Sequence, residues 1–199
     1  VEAPVLPPAA VGPYRLAELI GAGGMGSVYR AQRDDGLFEQ SVAIKFVRRM
    51  PGLLQLDALV DAERRLLARM AHPAIARILD GGTTAIGLHY LIMEFVEGVA
   101  LDQYVVAEAP SLRSRVALMI EVCEAVAHAH RNLVLHCDLK PANVLVTAQG
   151  RPKLIDFGVA RLRDVVDTNR PEGFTRAYTS PQRLAGEPLE ALGVVRKAG

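Results

Sequence analysis

The spacing of hydrophobic and polar residues changes once along the chain, close to residue 98. Before that point, short runs rich in apolar residues predict five β-strands, over 14–20, 28–31, 41–47, 75–79 and 90–96. After it, apolar residues recur every three to four positions, which predicts a mainly helical region. The pattern therefore predicts an α+β protein of two lobes, a small antiparallel β lobe over 14–98 and a helical lobe over 99–199.

The first 13 residues lack either pattern. They contain four prolines and several alanines, a composition that is typical of an unstructured linker. They also lack the basic segment with which a secretory signal begins. We therefore expect residues 1–13 to form a disordered Pro/Ala-rich linker.

Two amphipathic helices are predicted, one in each lobe. The first covers 53–70, and Glu63 falls on its apolar stripe, where a carboxylate needs a partner. The second covers 112–130. Its buried face is predicted to carry Val116, Met119, Ile120, Cys123, Val126, Ala127 and His130.

The composition mainly argues against certain classes of protein. A formal net charge of +1 gives no reason to expect binding to nucleic acid. No apolar run approaches the roughly 18 residues that a membrane helix needs, so no membrane segment is expected. Cys123 and Cys137 show no metal-ligand spacing and suit a reducing compartment. These features favour a cytoplasmic protein.

Glycines 21, 23 and 26 form a GxGxxG pattern. The pattern alone fits a dinucleotide turn, a phosphate-covering loop or a flexible hairpin. A dinucleotide turn opens a helix, whereas here the strand formers Val28 and Tyr29 follow. The glycines are therefore predicted in a hairpin whose backbone N–H groups can approach phosphates closely, and a dinucleotide oxidoreductase is disfavoured.

Lys45 lies within a predicted strand, on the face opposite to Val42, Ile44 and Phe46. A single lysine in a strand is usually solvated. Glu63, on the apolar stripe of the next helix, is its obvious partner. A lysine paired in this way would point at nucleotide phosphates.

The loop over 136–143 contains the densest chemistry. Asp138, Lys140 and Asn143 stand at i, i+2 and i+5, and Pro141 prevents a regular helix. A proton acceptor, a cation and an amide that can bind a metal are what phosphoryl transfer needs. Two short strands are predicted after this loop, over 144–146 and 153–155. Asp156 follows the second strand and would complete a Mg²⁺ site with Asn143.

In this order, the glycine hairpin, the strand lysine, the 136–143 loop and the run Asp156-Phe157-Gly158 resemble the protein kinase superfamily, over about 14–183. The runs 70–73, 78–84 and 93–98 look most similar to bacterial, eukaryotic-like serine/threonine kinases. The resemblance implies a two-lobed kinase-like fold. It also implies transfer of the γ-phosphate of ATP, with Mg²⁺, to Ser or Thr hydroxyls of a protein substrate.

The resemblance assigns roles to individual residues. Asp138 would be the catalytic base, Lys140 would neutralise γ-phosphate charge, and Lys45, paired with Glu63, would bind the α- and β-phosphates. The residues implied at the Mg²⁺ site are Asn143 and Asp156. The residues implied around the nucleotide are Ile20, Gly21, Gly23, Gly26, Val28, Ala43, Lys45, Met93 as gatekeeper, Glu94, Val96 and Leu145.

Three positions depart from the family pattern. Cys137 replaces the arginine that commonly receives an activation-loop phosphate, so we expect a kinase that is constitutively competent or regulated by partners. Gln182 replaces the usual glutamate of an APE-like triplet. The segment after residue 187 looks like a compressed remnant, which predicts an incomplete C-lobe. Apolar surface on the 112–130 helix would then be uncovered, and a partner or self-association could cover it.

The incomplete C-lobe keeps a second class of function open. The chain could be a truncated, pseudokinase-like module that binds nucleotide or serves as a scaffold without transferring phosphate. A small-molecule phosphotransferase is disfavoured by Lys140 and by the 156–182 segment, which resembles a peptide-binding activation segment.

Overall fold

The structure is a computed structural model that describes residues 7–23, 26–47, 70–136, 138–157 and 178 of the 199-residue chain. It divides into two compact units. The first comprises Val1–Arg64 and Arg77–Phe95, and the second comprises Arg65–Ala76 and Val96–Gly199. The predicted helix over 53–70 lies outside the described residues except for Met70.

The first unit is an antiparallel six-stranded sheet. Its strands are β1 (Ala10–Val11), β2 (Tyr14–Gly23), β3 (Gly26–Arg33), β4 (Ser41–Val47), β5 (Ile78–Thr83) and β6 (His89–Glu94). They are ordered β1-β2-β3-β4-β6-β5, so that only the last two depart from chain order. The central position of β4 makes it the strand most protected from solvent.

The core of the first unit lies against one face of β4. Val42, Ile44 and Phe46 are buried there, as the alternation in the sequence predicted. Tyr29 packs edge-to-face on Phe46, with ring centroids 5.9 Å apart, a favoured aromatic geometry. The other face of β4 is thereby left to carry Ala43 and Lys45.

Part of the predicted linker is ordered. Residues 1–6 lie outside the described residues, but Ala10 and Val11 form β1 and pair with Arg15 and Tyr14 of β2. Val11 is buried in the core, and Gly12 makes the turn with a φ of 54°. The prediction of disorder was wrong for these residues because one buried valine and strand pairing outweigh a Pro/Ala composition.

The position of β5 also differs from the prediction. A strand was expected over 75–79 and a loop from Gly81, but β5 runs from Ile78 through both glycines to Thr83. A Cβ at Gly82 would lie 2.9 Å from the Tyr90 hydroxyl oxygen. Glycine at 82 therefore leaves room for the end of the Tyr90 side chain, which would have to shift if residue 82 carried a Cβ.

Among the residues that the structure describes, the second unit contains two helices and a small sheet. The helices are α1 (Leu101–Glu108) and α2 (Leu112–Arg131), and a single 3₁₀ turn covers Pro141–Asn143. The sheet is antiparallel and consists of β7 (Val99–Ala100), β8 (Val144–Val146) and β9 (Pro152–Leu154). No helix in the described part of the chain is long and apolar enough to cross a membrane.

Helix α2 buries a different face from the one predicted. Its buried residues are Leu118, Val122, Ala125 and Ala129. Among the residues predicted to be buried, Val116, Met119, Ile120, Cys123 and Ala127 are exposed. The sequence has apolar residues on two sides of this helix, and the side with two alanines is the one that packs inward. Exposed apolar surface on the helix was itself expected and is present.

The loop before the 3₁₀ turn is anchored by His136. Its Nε2 donates to the carbonyl of Ile155 over 3.0 Å, and its Nδ1 accepts from the Asp138 N–H over 3.4 Å. These two bonds require the neutral tautomer that is protonated on Nε2. The ring also packs against Phe157, with centroids 4.6 Å apart. Burial lowers the pKa of His136, and the bond to Ile155 opposes this shift only in part.

The lowered pKa of His136 predicts a loss of stability in mild acid. Below about pH 6.5 the unfolded chain binds a proton at this histidine while the folded chain does not. The free energy of unfolding therefore decreases as the pH is lowered from 6.5 to the pKa of His136 in the folded chain. We expect the melting temperature to fall over this range, and His136→Gln to remove part of that fall. Equal pH dependence in the two proteins would contradict the assignment.

Candidate active site

The first unit brings several predicted nucleotide-contacting residues onto one face of its sheet. Val28 of β3 lies directly opposite Lys45 of β4, and Ala43 lies directly opposite Met93 of β6. Residues directly opposite each other in antiparallel strands point to the same side. Because Ile44 and Phe46 point to the core, these four side chains occupy the other face.

The predicted glycine hairpin is the connection between β2 and β3. Gly23 pairs with Gly26, and Ile20 is the extra residue of a bulge between Leu19 and Gly21. A Cβ at Gly23 would meet no described atom within 4 Å, and at Gly21 it would make only ordinary contact with Val28. Packing among the described residues therefore does not require glycine at 21 or 23, and a role of this backbone in binding phosphates stays a prediction.

Lys45 is buried, with 4% of its surface exposed. Lysine is almost never this buried unless it is paired. The predicted partner, Glu63, lies outside the described residues, so the Lys45–Glu63 ion pair stays a prediction. The burial itself fits a lysine that serves a site and not a solvated strand position.

The end of β6 is held in place by the contacts of Glu94 and by the contact of Phe95. The Glu94 carboxylate accepts from the Arg77 N–H over 3.2 Å, and the Glu94 N–H donates to the Arg77 carbonyl over 2.9 Å. The guanidinium of Arg30 lies 4.9 Å from the centroid of the Phe95 ring, a cation–π distance. Both contacts fix the backbone that is predicted to bind adenine.

Sequence reasoning did not identify Arg30. A basic residue in a strand usually reaches solvent, and no pattern in the sequence signals a stacked one. In the structure its Nε is buried and has no hydrogen-bond acceptor in the part of the chain that is described. Its Nη2 donates to the Ser41 hydroxyl oxygen over 3.5 Å, and the Phe95 ring lies against the guanidinium carbon.

The second unit brings Asp138, Lys140 and Asn143 together. The Lys140 ammonium nitrogen lies 2.7 Å from Oδ2 of Asp138. The Asn143 amide nitrogen donates to the Asp138 backbone carbonyl over 2.8 Å and to Oδ2 over 3.3 Å. The 3₁₀ turn makes this approach possible because it closes the chain between Lys140 and Asn143. One carboxylate is thus held by a cation and an amide.

Asn143 and Asp156 suit a hard cation. Because its nitrogen donates to Asp138, the Asn143 side chain has a defined orientation, and its carbonyl oxygen is the atom that could ligate Mg²⁺. The Asn143 backbone carbonyl accepts from the Ile155 N–H over 3.0 Å, next to Asp156. Among the described residues no group of three or more His, Cys, Asp or Glu could hold a metal. Two protein oxygens completed by phosphate oxygens are the pattern that Mg²⁺ commonly uses.

The remaining predicted residues divide into two groups. Leu145 lies in β8, half-buried, opposite Ala100 and Lys153, and Val96 is half-buried just after Phe95. Several residues that carried sequence predictions lie outside the described residues. They are Glu63, Cys137, Gly158 and Gln182.

Comparison with known proteins identifies the family to which the chain belongs. A family model described as "Protein kinase domain" matches residues 14–192. The chain is 34% identical over 203 residues to serine/threonine-protein kinase PrkC of Bacillus subtilis, with 92% of this chain and 30% of the relative covered. It is 33% identical over 199 residues to serine/threonine-protein kinase PknB of Mycobacterium tuberculosis, with 94% and 31% covered. The chain thus spans about a third of the length of these relatives.

A solved structure shows the same fold. The kinase domain of M. tuberculosis PknI has a TM-score of 0.70 and 26% identity, and the match covers 94% of this chain and 70% of that one. The prediction of a kinase-like fold, with an antiparallel β unit and a partly helical unit, is therefore confirmed. The match over 14–192, together with relatives that are bacterial serine/threonine kinases, shows that the chain belongs to the protein kinase family.

Proposed function

We propose that this chain transfers the γ-phosphate of ATP to Ser or Thr hydroxyls of a protein substrate. The observation that carries the proposal is the arrangement around Asp138, whose carboxylate is contacted by Lys140 at 2.7 Å and by Asn143 at 3.3 Å. Phosphoryl transfer depends on such positioning and charge stabilisation more than on covalent chemistry.

In this proposal Asp138 orients the substrate hydroxyl and accepts its proton. The hydroxyl oxygen attacks the γ-phosphorus, the bond to the β–γ bridging oxygen breaks, and ADP leaves. Lys140, already beside Asp138, neutralises charge on the γ-phosphate oxygens. Mg²⁺, when bound, would neutralise charge that develops between the β- and γ-phosphates. Asn143 and Asp156 would hold it.

The first unit would bind the rest of the nucleotide. Val28, Ala43 and Met93 offer an apolar surface for adenine on one face of the sheet. The Glu94 carbonyl would hydrogen-bond adenine. Lys45 and the glycine hairpin would receive the phosphates.

Replacing Asp138 is the first test of the proposal. Asp138→Asn keeps the shape but removes the proton acceptor, so we expect transfer of labelled γ-phosphate to a generic basic protein or to the chain itself to fall about 100- to 10,000-fold. Asp102→Asn, at the start of α1, is the matched control and should transfer normally. Undiminished transfer by the Asp138 variant would sink its role. A wild-type chain that binds nucleotide without transferring phosphate would favour the scaffold alternative.

Lys45→Met tests the phosphate contact. Methionine fills a similar volume without charge, so transfer should be abolished while the circular dichroism spectrum stays close to that of the wild type. Arg15→Met removes an exposed cation from the same sheet and should leave transfer unchanged. Full activity in the Lys45 variant would show that this lysine does not serve the nucleotide.

Asp156→Asn tests the metal site. Asparagine is nearly isosteric and tolerates the positive φ of 63° at this position, but it removes the charge that attracts a cation. We expect nucleotide affinity, measured by calorimetry with Mg²⁺ and with a chelator, to lose its Mg²⁺ dependence. Asp80→Asn is the control. A Mg²⁺ dependence that survives in the Asp156 variant would argue against this ligand.

A further inference from the structure

The side chain of Arg30 connects β3 to the residue that follows β6. Arg30 lies directly opposite Ala43 of β4, and the two side chains point to the same face of the sheet. Its Nη2 donates to the Ser41 hydroxyl oxygen over 3.5 Å, and its guanidinium carbon lies 4.9 Å from the centroid of the Phe95 ring. Because β4 lies between β3 and β6 in the sheet, the Arg30 side chain must cross β4 to reach Phe95.

Both ends of this contact are restrained. The Nε atom of Arg30 is buried, and the Ser41 hydroxyl that Arg30 contacts also accepts from Nε2 of Gln32 over 2.9 Å. Phe95 is itself half-buried, and a cation attracts an aromatic face more strongly when water is partly excluded from it. The planar guanidinium therefore restrains the Phe95 ring as well as being restrained by it.

The contact adjoins the carbonyl that is proposed to bind adenine. Glu94 immediately precedes Phe95. The N–H and the carboxylate of Glu94 are both bonded to the backbone of Arg77, over 2.9 and 3.2 Å. The Glu94 carbonyl therefore follows a group that Arg77 holds and precedes a ring that Arg30 holds. Removing the Arg30 guanidinium would leave the peptide after Glu94 restrained from one side only.

We propose that Arg30 is a positioning residue that lets the site select adenine from other purines. This inference rests on the proposed function, in which the Glu94 carbonyl accepts a hydrogen bond from the amino group of adenine. A purine with a carbonyl oxygen at the same place offers a second acceptor and cannot form that bond. Such a hydrogen bond discriminates well only where the group that forms it is held in place. Arg30 provides this restraint through the Phe95 ring.

The affinities of adenosine and inosine, measured by calorimetry, test the proposal. Inosine has a carbonyl oxygen where adenosine has its amino group, and neither nucleoside carries a phosphate. The wild-type chain should prefer adenosine. Arg30→Met keeps an unbranched side chain but removes the guanidinium, so this preference should fall about three- to tenfold, mainly through weaker binding of adenosine. An unchanged preference, whether both affinities persist or both fall equally, overturns the proposal.

Arg33→Met is the matched control. Arg33 is the last residue of β3, and its guanidinium carbon lies 4.3 Å from the centroid of the Phe38 ring. The control variant therefore also removes a cation–π contact from β3, but one that does not involve the end of β6. Its preference for adenosine should equal that of the wild type, even if its melting temperature is lower. An equal loss of preference in this variant would make the effect a property of the whole sheet and would contradict the role of Arg30.

A double-mutant cycle tests whether Arg30 acts through Phe95. Phe95→Leu keeps an apolar side chain without an aromatic face, so the preference for adenosine should fall as it does in Arg30→Met. Phe95→Tyr keeps the ring and should bind like the wild type. The double variant with Met at 30 and Leu at 95 should lose no more than either single variant. Losses that multiply in the double variant would show that the two side chains act independently, which overturns the proposal.

Failure of the proposed function gives a different result from failure of this inference. A wild-type chain that binds neither nucleoside, or binds both equally, contradicts the proposed adenine contact of Glu94 and this inference with it. A wild-type chain that prefers adenosine but does not transfer phosphate contradicts the proposed transfer alone. In that case the Arg30 and Phe95 variants still decide whether Arg30 positions the adenine contact.

Discussion

The hydrogen bonds of His136 are the constraint on which the arrangement of Asp138 and Asp156 in the second unit depends. The bond from Nε2 to the Ile155 carbonyl joins the loop that carries Asp138 to the segment that carries Asp156, and the bond from the Ile155 N–H to the Asn143 carbonyl joins them as well. The bond from the Asp138 N–H to Nδ1 of His136 requires a neutral histidine, and burial favours that form by lowering the pKa of His136. The segments that carry Asp138 and Asp156 are thus positioned by an uncharged histidine.

The local chemistry of the loop could be predicted from the sequence because it is encoded over few residues. Asp138, Lys140 and Asn143 lie within six positions, and Pro141 excludes a regular helix. Because the chain turns tightly between Lys140 and Asn143, the three side chains are brought close together. The strand faces of β4 were equally predictable, since a period of two leaves Val42 and Ile44 on one side and Lys45 on the other.

What could not be predicted depends on contacts between distant residues. The strand at Ala10 and Val11 forms because it pairs with the edge of β2. The amino-acid composition of residues 1–13 does not predict this pairing. The prediction of which face of α2 packs inward was wrong because the helix has two apolar stripes. The stripe with Ala125 and Ala129 allows closer packing than the stripe with Met119 and Ile120. Arg30 was missed for the same reason, since its partner, Phe95, is 65 residues away.

Asp156 shows how the fold holds a strained residue in place. Its φ of 63° is unfavourable for a residue with a side chain, by about 1 kcal/mol. Both neighbours are fixed: the Ile155 N–H donates to Asn143 and the Ile155 carbonyl accepts from His136, while Phe157 packs against the His136 ring. The backbone on either side of Asp156 therefore has little freedom to relax into an ordinary conformation. Strain maintained in this way fits a carboxylate whose direction matters more to the protein than its contribution to stability.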